Sequence, residues 1–238
     1  MIFAAGLGKR LGNITKDIPK ALVEINGKSI LRLAVEKVTA HGFDDIIVNV
    51  HHHANLVEKE IDILVKEGFR IAVSDESNLL LETGGGLYKA KSFFDDKPFL
   101  LYNSDIITEL DPGKLLSFHN ERKGVATLAV ADHGHNRVFL FNSEGVLCGW
   151  KNRSAGEEIL SRESDEPLTE ISFSGIHIVD PLIFRYMEEG AYSMTALYLQ
   201  LASSQNIYAF RHDSDFWIDI GTPDKLDEAR KKIDKPGR

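Results

Sequence analysis

The sequence predicts an α/β protein: a three-layer α/β/α, Rossmann-like arrangement around a mixed, mostly parallel sheet. Three observations predict it. Short apolar, β-branched runs alternate with segments of helical period over roughly the first 130 residues, and such alternation implies parallel strands joined by covering helices. A hairpin signal and further strands follow, which makes the sheet mixed. No internal repeat, low-complexity stretch or linker interrupts the 238 residues, so one domain is expected.

Each element has its own signal. Met1–Ala5 reads as a buried strand that runs straight into a glycine-rich segment; because it starts at the first residue, a short upstream piece is expected to be missing. Ser29 caps a predicted helix that ends near His41, closed by Gly42. Ile46–Val50 has the β-branched content of a parallel strand. Asn55 opens a helix with Val57, Ile61, Leu64 and Val65 at helical spacing and Gly68 at its end. Arg70–Ser74 is a short strand, Gly86–Phe93 a helix and Phe99–Tyr102 a buried strand. Pro112–Glu121 is a helix and Val125–Ala131 a strand. Arg137–Phe141 and Val146–Lys151 form a hairpin about Asn142-Ser143-Glu144-Gly145. Glu170–Val179 is a strand, Pro181–Met187 and Ser193–Ala202 helices, Ile207–Phe210 a strand and Pro223–Lys232 the last helix.

Composition narrows the class. Hydrophobic residues make up 43% and charged residues 27%, ordinary for a domain with a real core. No apolar run approaches the roughly 18 residues needed to span a membrane. The single Cys148 leaves no internal disulfide and no cysteine-based zinc site. A cytoplasmic protein is expected. The net charge of −8 argues against nucleic-acid and acidic-membrane partners. Yet residues 1–32 carry six basic side chains (Lys9, Arg10, Lys16, Lys20, Lys28, Arg32) against Asp17 and Glu24. Such a patch suits a small polyanion.

Gly6 and Gly8 follow the first strand, where absent side chains let backbone N–H groups approach a phosphate. A dinucleotide fingerprint needs G-x-G-x-x-G, and the third glycine comes one residue late, at Gly12. The Walker pattern is absent. Lys9 and Arg10 add two full charges at the crest.

These residues do not stand alone. Ala4-Ala5-Gly6-Leu7-Gly8-Lys9-Arg10-Leu11 followed by Pro19-Lys20-Ala21-Leu22 resembles the signature of the sugar-phosphate nucleotidyltransferases. The resemblance continues, in the family's order, at Leu81-Glu82-Thr83-Gly84-Gly85-Gly86, Asn103-Ser104-Asp105, Phe173-Ser174-Gly175-Ile176 and Trp217-Ile218-Asp219-Ile220-Gly221-Thr222. Lys9 stands where Thr or Ser is usual, and Ser104 where Gly is usual. The blocks look most like those of short bacterial members, which act on N-acetylmuramate, mannose or heptose 1-phosphates. The resemblance implies one nucleotidyltransferase domain over 1–238, with a nucleotide-binding half at 1–131 and a sugar-phosphate-binding half at 132–238.

The implied chemistry brings a triphosphate against a sugar phosphate. Two unit charges ~4 Å apart repel by about 4 kcal/mol at an effective dielectric of ~20, so cations are the main requirement. Arg10 and Lys9 are expected to grip the triphosphate, and Lys20 to neutralise charge developing at the α-phosphoryl group. Asp105, after a buried strand, and Asp219 are expected to share one Mg2+, which takes one or two protein carboxylates and fills its remaining sites with phosphate and water. Arg10, Lys20 and Asp105 are thus the expected catalytic set. Ala5, Gly6 and Gly8 join Lys9 on the nucleotide; Thr83-Gly84-Gly85, as a tight turn before a helix, are expected to present backbone groups to the base, and Glu82 to contact the nucleotide's base or sugar or else to cap the turn. Lys151 is expected on the sugar phosphate, with Glu170, Ser174 and Gly175 on sugar hydroxyls, although Gly175 equally suits a bulge in a core strand.

A phosphate monoester is already anionic at neutral pH, its second pKa being about 6, so a general base is not required. That demotes the nine histidines, His51-His52-His53 included. The expected partners are an NTP, UTP favoured and GTP possible, and a sugar 1-phosphate, with the chain a monomer or homodimer. A glycosyltransferase would want a D-x-D, and Asn103-Ser104-Asp105 supplies one carboxylate. A silent sugar-nucleotide sensor would not need Arg10, Lys20, Asp105 and Asp219 together.

Overall fold

The computed structural model describes residues 1–233. Internal contacts group the chain into two compact units that interleave in sequence. The first comprises Met1–Leu81, Tyr102–Leu110 and the stretch from Phe216 onward; the second comprises Glu82–Leu101 and Asp111–Asp215. The boundaries of these packing units differ from the halves expected at 1–131 and 132–238.

The first unit opens with β1 (Ile2–Phe3) and a tight pair, β2 (Glu24–Ile25) and β3 (Lys28–Ser29). Helix α1 (Ile30–Thr39) starts where Ser29 Oγ accepts from Arg32 N at 3.0 Å, and buries Ile30, Leu31, Ala34, Val35 and Val38. Strand β4 (Asp45–Val50) is buried at every position after the first, as a central parallel strand must be. Helix α2 (Ala54–Lys66) then buries Val57, Ile61 and Leu64 and leads to β5 (Arg70–Asp75). The chain leaves this unit with α3 (Glu82–Lys89) and returns along β6 (Phe99–Asn103). The strand order is β6-β1-β4-β5, all parallel. Successive strands therefore lie on opposite sides of β1, which makes its carboxyl end a topological switch point, the place where open α/β sheets bind ligands. Strand β7 (Ile106–Thr108) follows β6 directly.

The second unit is mainly antiparallel. Helix α4 (Pro112–Arg122), capped by Asp111, packs on β8 (Ala126–Ala131). The expected hairpin forms as β9 (Arg137–Phe141) and β10 (Leu147–Asn152), with β11 (Glu157–Leu160) beyond it. Strand β12 (Thr169–Val179) pairs with both β9 and β8. Helix α5 (Met194–Leu201) is capped by Ser193, and β13 (Ile207–Arg211) runs parallel to β8. The chain then rejoins the first unit as β14 (Trp217–Asp219), antiparallel to β7, and α6 (Pro223–Lys232), which has Thr222 as its cap. The parallel ladders of the first unit, which the alternation predicts, and the mainly antiparallel ones of the second, which the hairpin signal predicts, together give a mixed α/β fold.

Two local expectations need correction. The tight turn predicted at Thr83-Gly84-Gly85 does not form, because these residues lie inside α3, which begins four residues before the predicted helix Gly86–Phe93. Three consecutive glycines argue against a helix by propensity, and a tertiary contact overrides them. A Cβ on Gly84 would fall 2.5 Å from the Tyr192 ring and 2.8 Å from its carbonyl oxygen. The predicted helix Pro181–Met187 is a 3-10 turn, Pro181–Tyr186.

Candidate active site

The charged residues that the first and last blocks contribute meet in the first unit. An apolar cluster brings them there. Leu11, Val23, Ile25 and Ile30 from the chain start pack against Ile218, Ile220, Leu226 and Ala229 from its end. Leu11 follows Arg10, Val23 comes three residues after Lys20, and Ile218 and Ile220 flank Asp219. Alternation along an extended segment then turns Asp219 away from the apolar side that its neighbours occupy. Asp219 stands opposite Ile106 in the β7–β14 ladder, and Ile220 N donates to the Asp105 carbonyl at 2.8 Å. Asp105 and Asp219 are thus adjacent although 114 positions separate them.

Lys20 lies between the two carboxylates. Its Nζ donates to Asp105 Oδ2 and lies 3.8 Å from Asp219 Oδ1. Arg10 Nη2 approaches the other oxygen of Asp219 at 3.6 Å. Their settings differ: the Lys20 side chain is 11% exposed and that of Arg10 68%. Lys20 is a largely buried charge, while the guanidinium of Arg10 is open to solvent. Two glycines make the room. Gly8 has φ +62°, and a Cβ there would meet Lys20 Cβ and Thr15 Cγ2, both at 3.0 Å. A Cβ on Gly221 would sit 2.7 Å from Arg10 Nη2. Gly6 faces open space, Ala5 is buried at the root of the loop, and the exposed Lys9 has no ion-pair partner among the described residues.

The two carboxylates, converging on one ammonium, are a donor set that fits a divalent ion bound through phosphate and water. Among the described residues there is no cluster of three or more acidic, histidine or cysteine side chains arranged for a metal. Mg2+ does not require one.

The second unit treats its expected residues differently. Glu82, with φ +58°, is exposed at the start of α3. The N–H groups of Gly84 and Gly85 both donate to Tyr192 O, at 2.8 and 3.2 Å, and Thr83 Oγ1 accepts from Met194 N at 2.9 Å. Lys151 Nζ lies 2.8 Å from Glu170 and 3.3 Å from Glu158. Lys151 and Arg153 together hold the Glu170 carboxyl below its ordinary range. Ser174 Oγ is fully buried, bonded to His212 Nε2 at 2.7 Å and His133 Nε2 at 2.9 Å. Burial, with His212 and His135 nearby, lowers His133 to about 4, so its ring is neutral at pH 7. Gly175, at φ +78°, occupies the bulge where β12 slips register against β8.

Sequence reading missed a cavity of about 390 Å3 in this unit, lined by Arg137, Phe139, Trp150, Phe173, Ser193 and Thr195 among others. Directly opposed strand residues share a face. Trp150 faces Phe139 and Asn152 faces Arg137 across the hairpin, while Lys151 faces Val138. The β12 register sets Glu170 beside Leu140 and Ile171 beside Phe139. The Lys151–Glu170 pair therefore occupies one face of the sheet, and the aromatic cavity lies on the other. Arg137 has no ion-pair partner among the described residues. The cavity's Ser193 and Thr195 adjoin Tyr192 and Met194, which hold Thr83–Gly85. Arg137 two residues before Phe139 on a predicted strand, which places both on one face, was the available signal.

No helix among the described residues is long and apolar enough to cross a membrane. The family model "Nucleotidyl transferase" matches residues 1–139. An N-acetylmuramate alpha-1-phosphate uridylyltransferase of Caulobacter vibrioides is 29% identical over 94% of this chain and 91% of its own length. A UTP–glucose-1-phosphate uridylyltransferase of Synechocystis is 32% identical over 93% of this chain, which spans 59% of that relative. The solved structure of HddC from Yersinia pseudotuberculosis shares the fold, with a TM-score of 0.76 at 24% identity over 98% of both chains. With a family match over more than half its length, and with its first and last sequence blocks gathered around Lys20, this chain belongs to the nucleotidyl transferase family.

Proposed function

We propose that the protein transfers a nucleoside monophosphate from an NTP to a sugar 1-phosphate, releasing pyrophosphate, with Mg2+ as cofactor. UTP and an N-acetylmuramate 1-phosphate-like sugar are the substrates we favour. The observation that carries the reading is the convergence of Arg10, Lys20, Asp105 and Asp219 within one unit. The near full-length likeness to the Caulobacter uridylyltransferase supports the choice of base and sugar.

Each residue has a physical task. Lys20, held by two carboxylates and largely buried, places a fixed positive charge where the α-phosphoryl group gains negative charge, which costs no reorganisation during reaction. Arg10, exposed and suited to bidentate contact, grips the outgoing phosphates with Lys9, and the Gly6–Gly8 backbone comes close to them. Asp105 and Asp219 would hold Mg2+, which when bound offsets phosphate charge and aligns the two reactants. The nucleophile is an already anionic phosphate oxygen, so positioning and electrostatics carry the chemistry. In the second unit, Trp150, Phe139 and Phe173 offer apolar surface to a sugar ring, and Arg137 offers a cation.

The test is a panel of four NTPs against several sugar 1-phosphates with Mg2+, read as pyrophosphate release. Release with UTP and N-acetylmuramate 1-phosphate is expected. Release only with GTP and mannose or heptose 1-phosphate would move the assignment to guanylyl transfer. No release with any pair would point to a glycosyltransferase or a sugar-nucleotide sensor.

A further inference from the structure

Behind the glycine loop lies a buried chain of hydrogen bonds that none of the chemistry above uses. Strand β1 ends at Phe3, paired with Asn49 of β4. One residue on, where the ladder stops, Ala4 N donates to the Asn49 side chain, Oδ1, at 2.8 Å. Asn49 Nδ2 donates in turn to Glu76 Oε1 at 2.8 Å. The other carboxylate oxygen of Glu76 accepts from Leu81 N at 3.3 Å. Asn49 and Glu76 are 2% and 1% exposed. The backbone of Glu76 is pinned as well, its N–H donating to Val50 O at 2.7 Å.

The order of donors and acceptors is forced. Ala4 N and Leu81 N can only donate, so the asparagine must turn its oxygen to Ala4 and its amide nitrogen to position 76. That position must then supply two acceptors, which a carboxylate does and an amide does not. Burying such groups costs free energy that apolar side chains would not incur. What the pair provides is direction: it fixes Ala4, and hence Ala5 and Gly6, and ties the same frame to Leu81, where the Leu81–Gly86 block begins.

We infer that Glu76, acting through Asn49, is a positioning residue that holds the phosphate-facing loop ready for nucleotide. The inference rests on the nucleotidyl-transfer reading of that loop. Glu76→Gln leaves one N–H facing another N–H, and Asn49→Asp sets two carboxylates against each other. The double variant restores these three bonds with roles exchanged. The new carboxylate accepts from Ala4 N and from the new amide, whose oxygen accepts from Leu81 N. A role in packing alone gives no reason for the double to recover.

The experiment is Mg-UTP and Mg-GTP affinity by calorimetry, with amide hydrogen exchange over residues 1–10, for wild type, both singles and the double. Each single should weaken nucleotide binding about tenfold and speed exchange of the loop. At saturating nucleotide, kcat should stay within about twofold of wild type. The double should return to within about threefold of wild-type affinity. Singles with wild-type affinity and exchange, or a double no better than the worse single, would overturn the inference while leaving the enzyme reading intact. A wild type that binds neither nucleotide and turns over none would overturn both. Should a single variant fail to fold, the wild type still decides: slow exchange at Ala4 and Leu81 is required, and fast exchange at Leu81 contradicts the relay.

Discussion

The two units handle charge in opposite ways. In the first, cations and carboxylates from distant segments are brought to one place by the apolar residues beside them, and Arg10 and Lys9 are left exposed. In the second, the charges at Lys151, Arg153, Glu158 and Glu170 largely neutralise one another on one sheet face. The aromatic cavity opens on the opposite face. Lys20 is matched too, by Asp105 and Asp219, so the contrast lies in Lys9, which has no ion-pair partner among the described residues, and in Arg10, whose side chain is 68% exposed. On the proposed reading, the first unit receives phosphate and the second something with apolar surface.

The largest expected effect comes from removing the fixed charge of the first unit. Lys20→Ala should lower kcat by about 10²–10³-fold, the scale of losing one preorganised charge-stabilising group, and change the KM for NTP far less. A rise in KM alone, by steady-state kinetics, would reassign Lys20 to ground-state binding.

Next comes a contrast within the second unit. Trp150→Ala should raise the KM for sugar phosphate about tenfold, the value of ~1.4 kcal/mol of lost apolar contact. Lys151→Ala should alter it less than about threefold. The reverse ranking would put the sugar on the Lys151–Glu170 face. A smaller effect is expected at Gly221. The added methyl of Gly221→Ala meets the flexible end of Arg10 and not backbone, so thermal stability should hold while the KM for NTP rises roughly fivefold. An unchanged KM would show that Arg10 works from another position.

Stability should also respond to pH through the second unit. Burial lowers the pKa of His177 to about 3, and its Nδ1 lies 2.5 Å from the Tyr198 hydroxyl. Its folded pKa is depressed, so its neutral form contributes stability that is fully present above about pH 6.5 and lost as pH falls toward 3. The unfolded chain binds the proton first. Each unit below pH 6.5 costs about 1.4 kcal/mol from this residue. His177→Gln should flatten the fall in Tm between pH 6.5 and pH 4.5, and an unaltered slope would exclude this origin.

Much of the first unit is legible in sequence because its signals are local. Gly8 needs a positive φ, Ser29 and Thr222 sit at helix starts, and the apolar flanks of Asp219 give away which way it points. Asp105 is announced by the buried strand before it. The second unit is less legible because its geometry depends on register. A shift between Leu147 and Gly149 changes the parity with which β10 faces β9. Counting alternate residues from the turn then gives no dependable face for Trp150 and Lys151. Thr83–Gly85 read as a turn because the contact that makes them helical comes from Tyr192, more than a hundred residues away. The two histidines bonded to the Ser174 hydroxyl lie 41 and 38 residues from it, so no local pattern announces them.

The sharpest measurement is a double-mutant cycle on the two aspartates, read as kcat against Mg2+ concentration. If Asp105 and Asp219 hold one ion, Asp105→Asn and Asp219→Asn should each cripple turnover, and the pair together should cost little more than the worse of the two. Effects that simply multiply, or an Asp219→Asn variant with normal Mg2+ dependence, would contradict a shared metal between them.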